Sequence, residues 1–196
     1  MVRTAELPKI VLASSSPRRV KLLEMLGVPF AVVEPDGVRE EDEGVPEEVV
    51  LRNARAKAHH IASKLSEGIV LGADTIVVLG DEIIGKAMND QEATAMLRAL
   101  QGKTHRVLTG LTVVDASSGR METDVVETQV AFKPLSEGEI ERYVATGEPH
   151  GKAGGYAVQG VGAIIVEEVH GCFYNVVGLP LYRLNTLLGR FGFTLL

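Results

Sequence analysis

Apolar and polar positions along the first half of the chain predict strands and helices in alternation. Strands are predicted for the compact apolar runs at 10–13, 30–33 and 69–79. The last run is interrupted by Asp74 and Thr75, so we expect a break in that strand. Between the runs, apolar residues recur with helical spacing. This predicts one helix beginning at Pro17 and a second beginning at Pro46 and ending near Leu65.

The second half of the chain predicts a pair of long strands between helices. Strands are predicted for 107–114, 121–132 and 163–168. Helices are predicted between Asp90 and Gly102, between Ser136 and Gly147, and from Pro180 to Leu188. Asp90 suits an N-cap, and Ser136 with Glu139 is typical of a capping box. The elements together indicate an α/β protein in which helices flank a mixed sheet.

Length and composition restrict the protein to a few classes. The 196 residues fit one domain, 1–196, that is long enough to bury a core. The formal net charge of −6 argues against broad binding to nucleic acid or anionic membranes. No apolar run approaches the ~18 residues of a membrane span. Cys172 is the only cysteine, and residues 1–9 lack a signal-peptide layout, so we expect a cytoplasmic protein without disulfides.

The segment after the first strand has the composition of an anion-binding site. Residues 14–19 read Ser-Ser-Ser-Pro-Arg-Arg. Ser16 suits the N-cap of the following helix, and Pro17 suits its first position because the missing N–H costs nothing there. Backbone N–H groups at a helix start attract anions, and Arg18 and Arg19 can each bind a phosphate through paired hydrogen bonds. The segment therefore indicates a phosphorylated ligand.

Four other segments are candidates for chemistry, and each has a structural alternative. Asp74 ends an apolar run, where it would lie near a ligand crevice or else form a turn. Lys86 is either a ligand-binding or a solvated lysine. The acidic stretch 39–48 is a solvated loop or supplies one carboxylate to a metal. The glycines of 152–162 allow an anion-binding nest of backbone N–H groups, or only tight turns.

These segments gain weight in combination. Metal-assisted phosphoryl chemistry needs a divalent cation to screen the phosphates, basic groups to hold them, and a carboxylate to bind the metal or activate water. The chain contains an anion-ready helix start, a carboxylate in a strand, lysines and a glycine-rich segment that includes the amide of Gln159. The combination indicates an enzyme acting on a small polyanion.

Several sequence blocks occur together in an order that is specific. The first is 12–19, Leu-Ala-Ser-Ser-Ser-Pro-Arg-Arg, and the others are 72–75, 85–86, 92–109, 148–149, 152–154, 159–160 and 177–180. Together they span essentially the whole chain and resemble the Maf family of nucleoside triphosphate pyrophosphatases. The resemblance implies an elongated, twisted mixed sheet with two lobes and a cleft between them, as in inosine triphosphatase-like proteins.

The resemblance also implies an activity and a set of residues. Maf proteins cleave a nucleoside triphosphate between the α and β phosphates, with a divalent metal, Mg²⁺ or Mn²⁺. Asp74 matches the catalytic acid–base residue and a metal ligand, and Glu40 matches a second metal ligand. The residues that match substrate-binding positions are Ser14, Arg18, Arg19, Lys57, Thr75, Lys86, Lys152 and Gln159. Family members are often homodimers, and the family is linked to septum formation and cell-division arrest.

The pattern around Gln159 resembles the branch that hydrolyses dTTP and UTP, and we expect related modified pyrimidine triphosphates as further substrates. A glutamine amide offers a donor and an acceptor, as the N3–H and carbonyl edge of thymine or uracil requires. Thr75 and Arg18 match the other specificity positions. Two alternatives stay open: hydrolysis of 7-methyl-GTP, where an acidic residue typically replaces the glutamine, and a regulator of septum formation that binds nucleotide without turnover.

The chain departs from the family pattern at three positions. Ala87 replaces a common proline and Gly155 a common alanine, which we expect to alter mainly loop stiffness. Gly151 replaces an aspartate that commonly precedes Lys152. Loss of this aspartate removes either a structural carboxylate or an indirect contact to the implied metal, so it bears on metal affinity.

Overall fold

The computed structural model describes residues 10–193 and 195, so residues 1–9 lie outside it. The strands are β1 Ile10–Ala13, β2 Phe30–Val33, β3 Ile69–Leu79, β4 Glu82–Ile84, β5 Thr104–Asp115, β6 Met121–Phe132 and β7 Val166–His170. The helices are α1 Pro17–Met25, α2 Pro46–Ala62, α3 Asp90–Leu100, α4 Glu137–Val144, α5 Phe173–Val177 and α6 Leu181–Gly189, with a 3₁₀ turn at Gly160–Ile164. No helix among these residues is long and apolar enough to cross a bilayer.

The strands form one mixed sheet in the order β2-β1-β3-β5-β6-β7, with β4 also paired to β3. β1 runs parallel to β2 and β3, and the other pairs are antiparallel. The prediction of a break in β3 is wrong. Asp74 lies opposite Gly110 and Thr75 opposite Thr109 in a continuous ladder with β5. Polar side chains do not interrupt a strand whose backbone groups are paired.

The β1 side of β3 contains a gap in strand pairing. β1 ends at Ala13, which pairs with Gly72, and β4 begins to pair with the same edge only at Val77. Residues 73–76 of β3 therefore have no strand partner on this side. The gap lies at the carboxyl end of the parallel strand β1, where ligand crevices open in α/β sheets.

Helices cover both faces of the sheet, and the apolar residues on one face form two clusters. One cluster surrounds α1 and α6 and includes Leu22 and Leu187. The other surrounds α3 and α4 and includes Leu97 and Ile140. These clusters are the cores of the two predicted lobes. Because helices cover both faces of a sheet with parallel and antiparallel pairs, the prediction of a mixed sheet flanked by helices is confirmed.

α2 packs very closely on the opposite face because two glycines lie beneath it. A Cβ atom at Gly72 would be 2.3 Å from the carbonyl oxygen of Ala54, and one at Gly110 would be 2.4 Å from that of Val50. Any side chain at either position would push the helix outward. The two glycines therefore set the height of α2 above β3, which contains Asp74.

Several predicted boundaries differ from the structure. The helix predicted to end near Leu65 ends at Ala62, and the strand predicted at 107–114 is Thr104–Asp115. The N-cap of α3 is Asn89 rather than Asp90, because the Asn89 side chain accepts the hydrogen bond from the Glu92 N–H at 2.9 Å. The strand predicted to begin at 163 begins at Val166, after the 3₁₀ turn. The capping box of Ser136 and Glu139 is present as predicted.

Candidate functional site

A cavity of about 350 Å³ opens at the gap along β3, between the two lobes. Apolar residues of both cores line it, among them Val158 and Val177 from one and Val77 and Tyr156 from the other. The cavity also brings together nearly all the predicted site residues: Ser14, Arg18, Arg19, Glu40, Lys57, Asp74, Thr75, Lys86 and Gln159. Lys152 is absent from this lining.

Asp74 is buried and held by two residues of α2. Lys57 Nζ donates to its Oδ1 at 2.6 Å, and Asn53 Nδ2 donates to its Oδ2 at 2.9 Å. Asn53 and Lys57 are four positions apart and so lie on one side of the helix. With α2 set close to the sheet, both side chains reach the strand, and each oxygen of the carboxylate has a fixed partner.

Glu40 links Lys57 and Lys86 at the mouth of the cavity. Its two carboxylate oxygens accept from Lys57 Nζ at 2.6 Å and from Lys86 Nζ at 2.5 Å. Burial raises the pKa of Glu40, but the two ammonium groups outweigh this and lower it to about 2. Lys57 thus lies between the two carboxylates, at 2.6 Å from each.

Arg19 is buried below the Ser14–Pro17 turn and donates to protein groups from three nitrogens. Nε donates to Gly178 O at 2.8 Å, Nη2 to Thr75 Oγ1 at 3.0 Å and Nη1 to Ser14 Oγ at 3.4 Å. Burial lowers the pKa of Arg19, and the nearby Asp74 carboxylate opposes that shift. Arg19 thereby joins β1, β3 and the end of α5.

Arg18 and Gln159 differ from these buried residues. Arg18 is half-buried, and burial lowers its pKa. Gln159 is exposed on the loop before the 3₁₀ turn. Within residues 10–193 and 195, neither side chain forms a hydrogen bond. Both line the cavity with polar groups available to a ligand.

Lys152 lies beside the cavity rather than in it. Its ammonium donates to the carbonyl oxygen of Glu148. Burial lowers the pKa of Lys152, and the charge of the neighbouring Arg18 lowers it further. The residue next to it, Ala153, forms a β-bridge with Lys86, so the segment that contains Lys152 positions the Lys86 backbone.

The glycine-rich segment does bind an anion through backbone N–H groups. The N–H groups of Val161 and Gly162 donate to the carboxylate of Glu148 at 3.0 and 2.7 Å. The predicted nest is thus present, but its occupant belongs to the same chain. A second turn, just before Lys152, contains Gly151. Its φ of +69° suits glycine, and its N–H donates to Ala87 O.

Sequence reasoning missed Asn53. Besides binding Asp74, its side chain donates to Glu41 O at 2.8 Å and accepts from Glu41 N at 2.9 Å. It therefore ties the acidic loop to the strand and places Glu40 at the cavity. The sequence does contain a signal for this role, because Asn53 precedes Lys57 by about one helical turn and interrupts the apolar face of α2.

The carboxylates fit a divalent cation by their chemistry. Mg²⁺ is commonly held by one or two carboxylates together with substrate phosphates, so Asp74 and Glu40 supply a sufficient donor set. Among the described residues, no group of three or more His, Cys, Asp or Glu side chains forms a metal cluster. A cation held by these two carboxylates would take its further oxygen ligands from substrate phosphates and water.

Comparison with known proteins assigns the family. The model of the family described as Maf-like protein matches residues 9–191. The chain belongs to the Maf-like family. A curated dTTP/UTP pyrophosphatase of Dictyoglomus thermophilum is 48% identical over 96% of this chain and 98% of its own. That of Pelotomaculum thermopropionicum is 50% identical over 96% of this chain and 99% of its own.

Solved structures give a weaker likeness to this Maf-like chain. A HAM1 protein from Coxiella burnetii is 15% identical, with a TM-score of 0.46, over 64% of this chain and 73% of its own. The Staphylococcus aureus Ham1 protein is 21% identical, with a TM-score of 0.43, over 66% of this chain and 72% of its own. The family assignment therefore rests on the sequence matches, which span nearly the whole chain.

Proposed function

We propose that this chain hydrolyses dTTP and UTP to the monophosphate and pyrophosphate. The observation that supports this most strongly is the position of Asp74, buried and held on both oxygens, in the same cavity as Arg18, Lys86 and Gln159. A carboxylate and cations serve the hydrolysis of the phosphate chain, and an amide that can pair with a base serves its recognition. The relatives named dTTP/UTP pyrophosphatase agree with this substrate class.

In this proposal, the less buried cations bind the phosphates. Arg18 has a guanidinium without a partner in the described part of the chain, and Lys86 is exposed with one bond to Glu40. Arg19 and Ser14 shape the turn at the helix start, because their hydrogen bonds join each other and neighbouring strands. The negatively charged phosphates of the substrate thus contact Arg18 and Lys86 rather than the buried Arg19.

Asp74 is the acid–base residue of the proposed reaction. Its carboxylate orients the attacking water, and Asn53 and Lys57 keep it in one position. A divalent cation, Mg²⁺ or Mn²⁺, held by Asp74, Glu40 and the substrate phosphates, would neutralise charge on the phosphate chain. Lys57 bridges the two carboxylates and keeps them close together.

Gln159 recognises the base in this proposal. Its amide pairs with the N3–H and carbonyl edge of thymine or uracil. Thr75 contributes indirectly, because its hydroxyl is shared between Arg19 and Thr109. We further propose a cytoplasmic enzyme, consistent with the single Cys172, and a homodimer, as the family resemblance suggests.

A panel of triphosphates tests the proposal. Pyrophosphate release is measured for dTTP, UTP, CTP, GTP and 7-methyl-GTP with Mg²⁺ and with Mn²⁺. We expect the highest kcat/KM for dTTP and UTP, and a loss of this preference in Gln159→Glu. Binding of dTTP without turnover would favour the regulator, and a preference for 7-methyl-GTP would favour the other branch.

A further inference from the structure

The loop that contains Gln159 is held by a carboxylate of its own chain. Glu148 Oε1 accepts from Gly162 N at 2.7 Å, and Oε2 accepts from Val161 N at 3.0 Å. These are the first N–H groups of the 3₁₀ turn Gly160–Ile164, and groups at such a position otherwise lack partners. The carboxylate thus fixes the chain just after Gln159.

Tyr143 fixes the chain just before Gln159. Its hydroxyl accepts from Ala157 N at 3.2 Å and donates to Glu148 Oε1 at 2.8 Å. Tyr143 is only 4% exposed and its ring is packed in the core around α4. The Tyr143–Glu148 pair therefore ties both sides of Gln159 to α4 and the turn that follows it.

The glycines of the loop are required by this close approach. A Cβ atom at Gly160 would lie 2.3 Å from Glu148 Oε2, and one at Gly162 would lie 2.2 Å from Ala157 O and 2.6 Å from the Tyr143 hydroxyl. Gly160 also has a φ of +84°, which other residues rarely adopt. Close packing against Glu148 thus accounts for Gly160, and packing against Ala157 O and the Tyr143 hydroxyl accounts for Gly162, independently of any bound phosphate.

We propose that Glu148 and Tyr143 are positioning residues that set the base selectivity of the site through Gln159. The inference rests on the proposed function, in which Gln159 recognises the base. The side chain of Gln159 has no hydrogen bond to the described residues, so its placement depends on how the loop backbone is held. A change in the Tyr143–Glu148 pair moves the amide relative to the base while leaving Asp74 untouched.

The ratio of kcat/KM for UTP to that for CTP measures this placement. The two substrates share the triphosphate, the ribose and the ring size, and differ at the edge that the Gln159 amide contacts. CTP has an acceptor at N3 and an amino group where UTP has a donor and a carbonyl. A ratio taken on one preparation is also independent of the fraction of enzyme that is folded, so a stability loss alone does not alter it.

The test compares Glu148→Gln with Glu139→Gln, a matched variant in the preceding helix α4. Glu148→Gln puts an NH₂ group against a backbone N–H, and we expect the UTP/CTP ratio to fall about ten-fold. Tyr143→Phe is expected to lower it less, and the double variant to lower it by less than the product of the two single effects, because the two side chains share one hydrogen bond. Glu139→Gln, which weakens the capping box of α4, should lower the Tm without changing the ratio.

The outcomes separate this inference from the proposed function. An unchanged ratio in both Glu148→Gln and Tyr143→Phe, with a reduced ratio in Gln159→Glu, overturns the positioning role. An unselective or inactive wild type contradicts the proposed function instead. For an inactive wild type, the ratio of dissociation constants for UTP and CTP, measured by calorimetry, tests the Tyr143–Glu148 pair in the same way. If Glu148→Gln fails to fold, Tyr143→Phe decides alone.

Discussion

The floor and the rim of the cavity contain similar side chains that are used differently. The floor consists of the buried residues Arg19, Lys57 and Asp74, together with Asn53, which supports Asp74 from outside the lining. The rim consists of Arg18, Glu40, Lys86 and Gln159. Every floor side chain is hydrogen-bonded to protein groups. On the rim, Lys86 has one partner, while Arg18 and Gln159 have none among the described residues.

The difference shows that cations near a site are not equivalent. A buried charge must be paired, so Lys57 and Arg19 direct their N–H groups to carboxylates, carbonyls and hydroxyls of the protein. They hold the floor in one shape. The rim cations remain partly solvated and keep donors free for phosphate. We expect floor substitutions to affect kcat and stability, and rim substitutions to affect KM.

The largest effect is expected for Asp74→Asn. The amide keeps the size of the side chain but removes the acid–base group, so we predict a fall in kcat of about 10³-fold. Pyrophosphate release at saturating dTTP is the measurement. Asp81→Asn, in the exposed turn after β3, is the control and should keep wild-type kcat. A kcat for Asp74→Asn within ten-fold of wild type would remove Asp74 from the chemistry.

The next effect is expected for Lys57→Met. Loss of the ammonium leaves Asp74 and Glu40 without their shared cation, and breaking a buried ion pair costs about 3 kcal/mol of unfolding free energy. Urea denaturation measures this loss. Lys64→Met, beyond the end of α2 and exposed, should change stability very little. Equal stability of the two variants would show that Lys57 does not organise the floor.

A smaller effect, on KM alone, is expected for Arg18→Ala. Removal of one charge-assisted contact to phosphate should raise KM for dTTP about ten-fold while kcat and Tm stay near wild type. Steady-state kinetics and thermal unfolding together test this. Lys21→Ala, which removes an exposed charge from the same helix, is the control. A large fall in Tm with unchanged KM would place Arg18 with the floor.

The smallest effect concerns the pH dependence of stability. The pKa of Glu40 is about 2 in the folded protein against 4.5 as its ordinary value. A lowered pKa stabilises the fold above pH 4.5, and this contribution is lost as pH falls toward 2. The Tm difference between wild type and Glu40→Gln should therefore shrink over that range. Because Glu40 is 37% exposed, we expect a modest shift. A Tm difference that does not change with pH would contradict the ion pairs of Glu40 with Lys57 and Lys86.

Local elements of the fold were predictable because their signals lie within a few residues. Pro17 at the first position of α1 and the capping box of Ser136 and Glu139 act over one helical turn. The gap along β3 was not predictable, because it depends on where β1 ends and β4 begins to pair. The prediction of a strand break at Asp74 was wrong for a similar reason, because pairing with β5, a strand distant in sequence, keeps β3 continuous despite its polar residues.

The residues of the site were easier to predict than their partners. Arg19 could be recognised from the segment that contains it, but its acceptor at Gly178 lies 159 positions away. The glycine-rich segment indicated an anion nest, yet nothing local identified Glu148 as the anion. Residue types indicate which groups are present, whereas only the fold decides which of them are already paired.

The central claim is that this cavity hydrolyses a pyrimidine triphosphate between its α and β phosphates. The most direct measurement is ³¹P NMR of dTTP incubated with wild-type enzyme and Mg²⁺, with Asp74→Asn in parallel. We predict dTMP and pyrophosphate from wild type and unchanged dTTP from the variant. Formation of dTDP and inorganic phosphate, or equal turnover by both proteins, would contradict the claim.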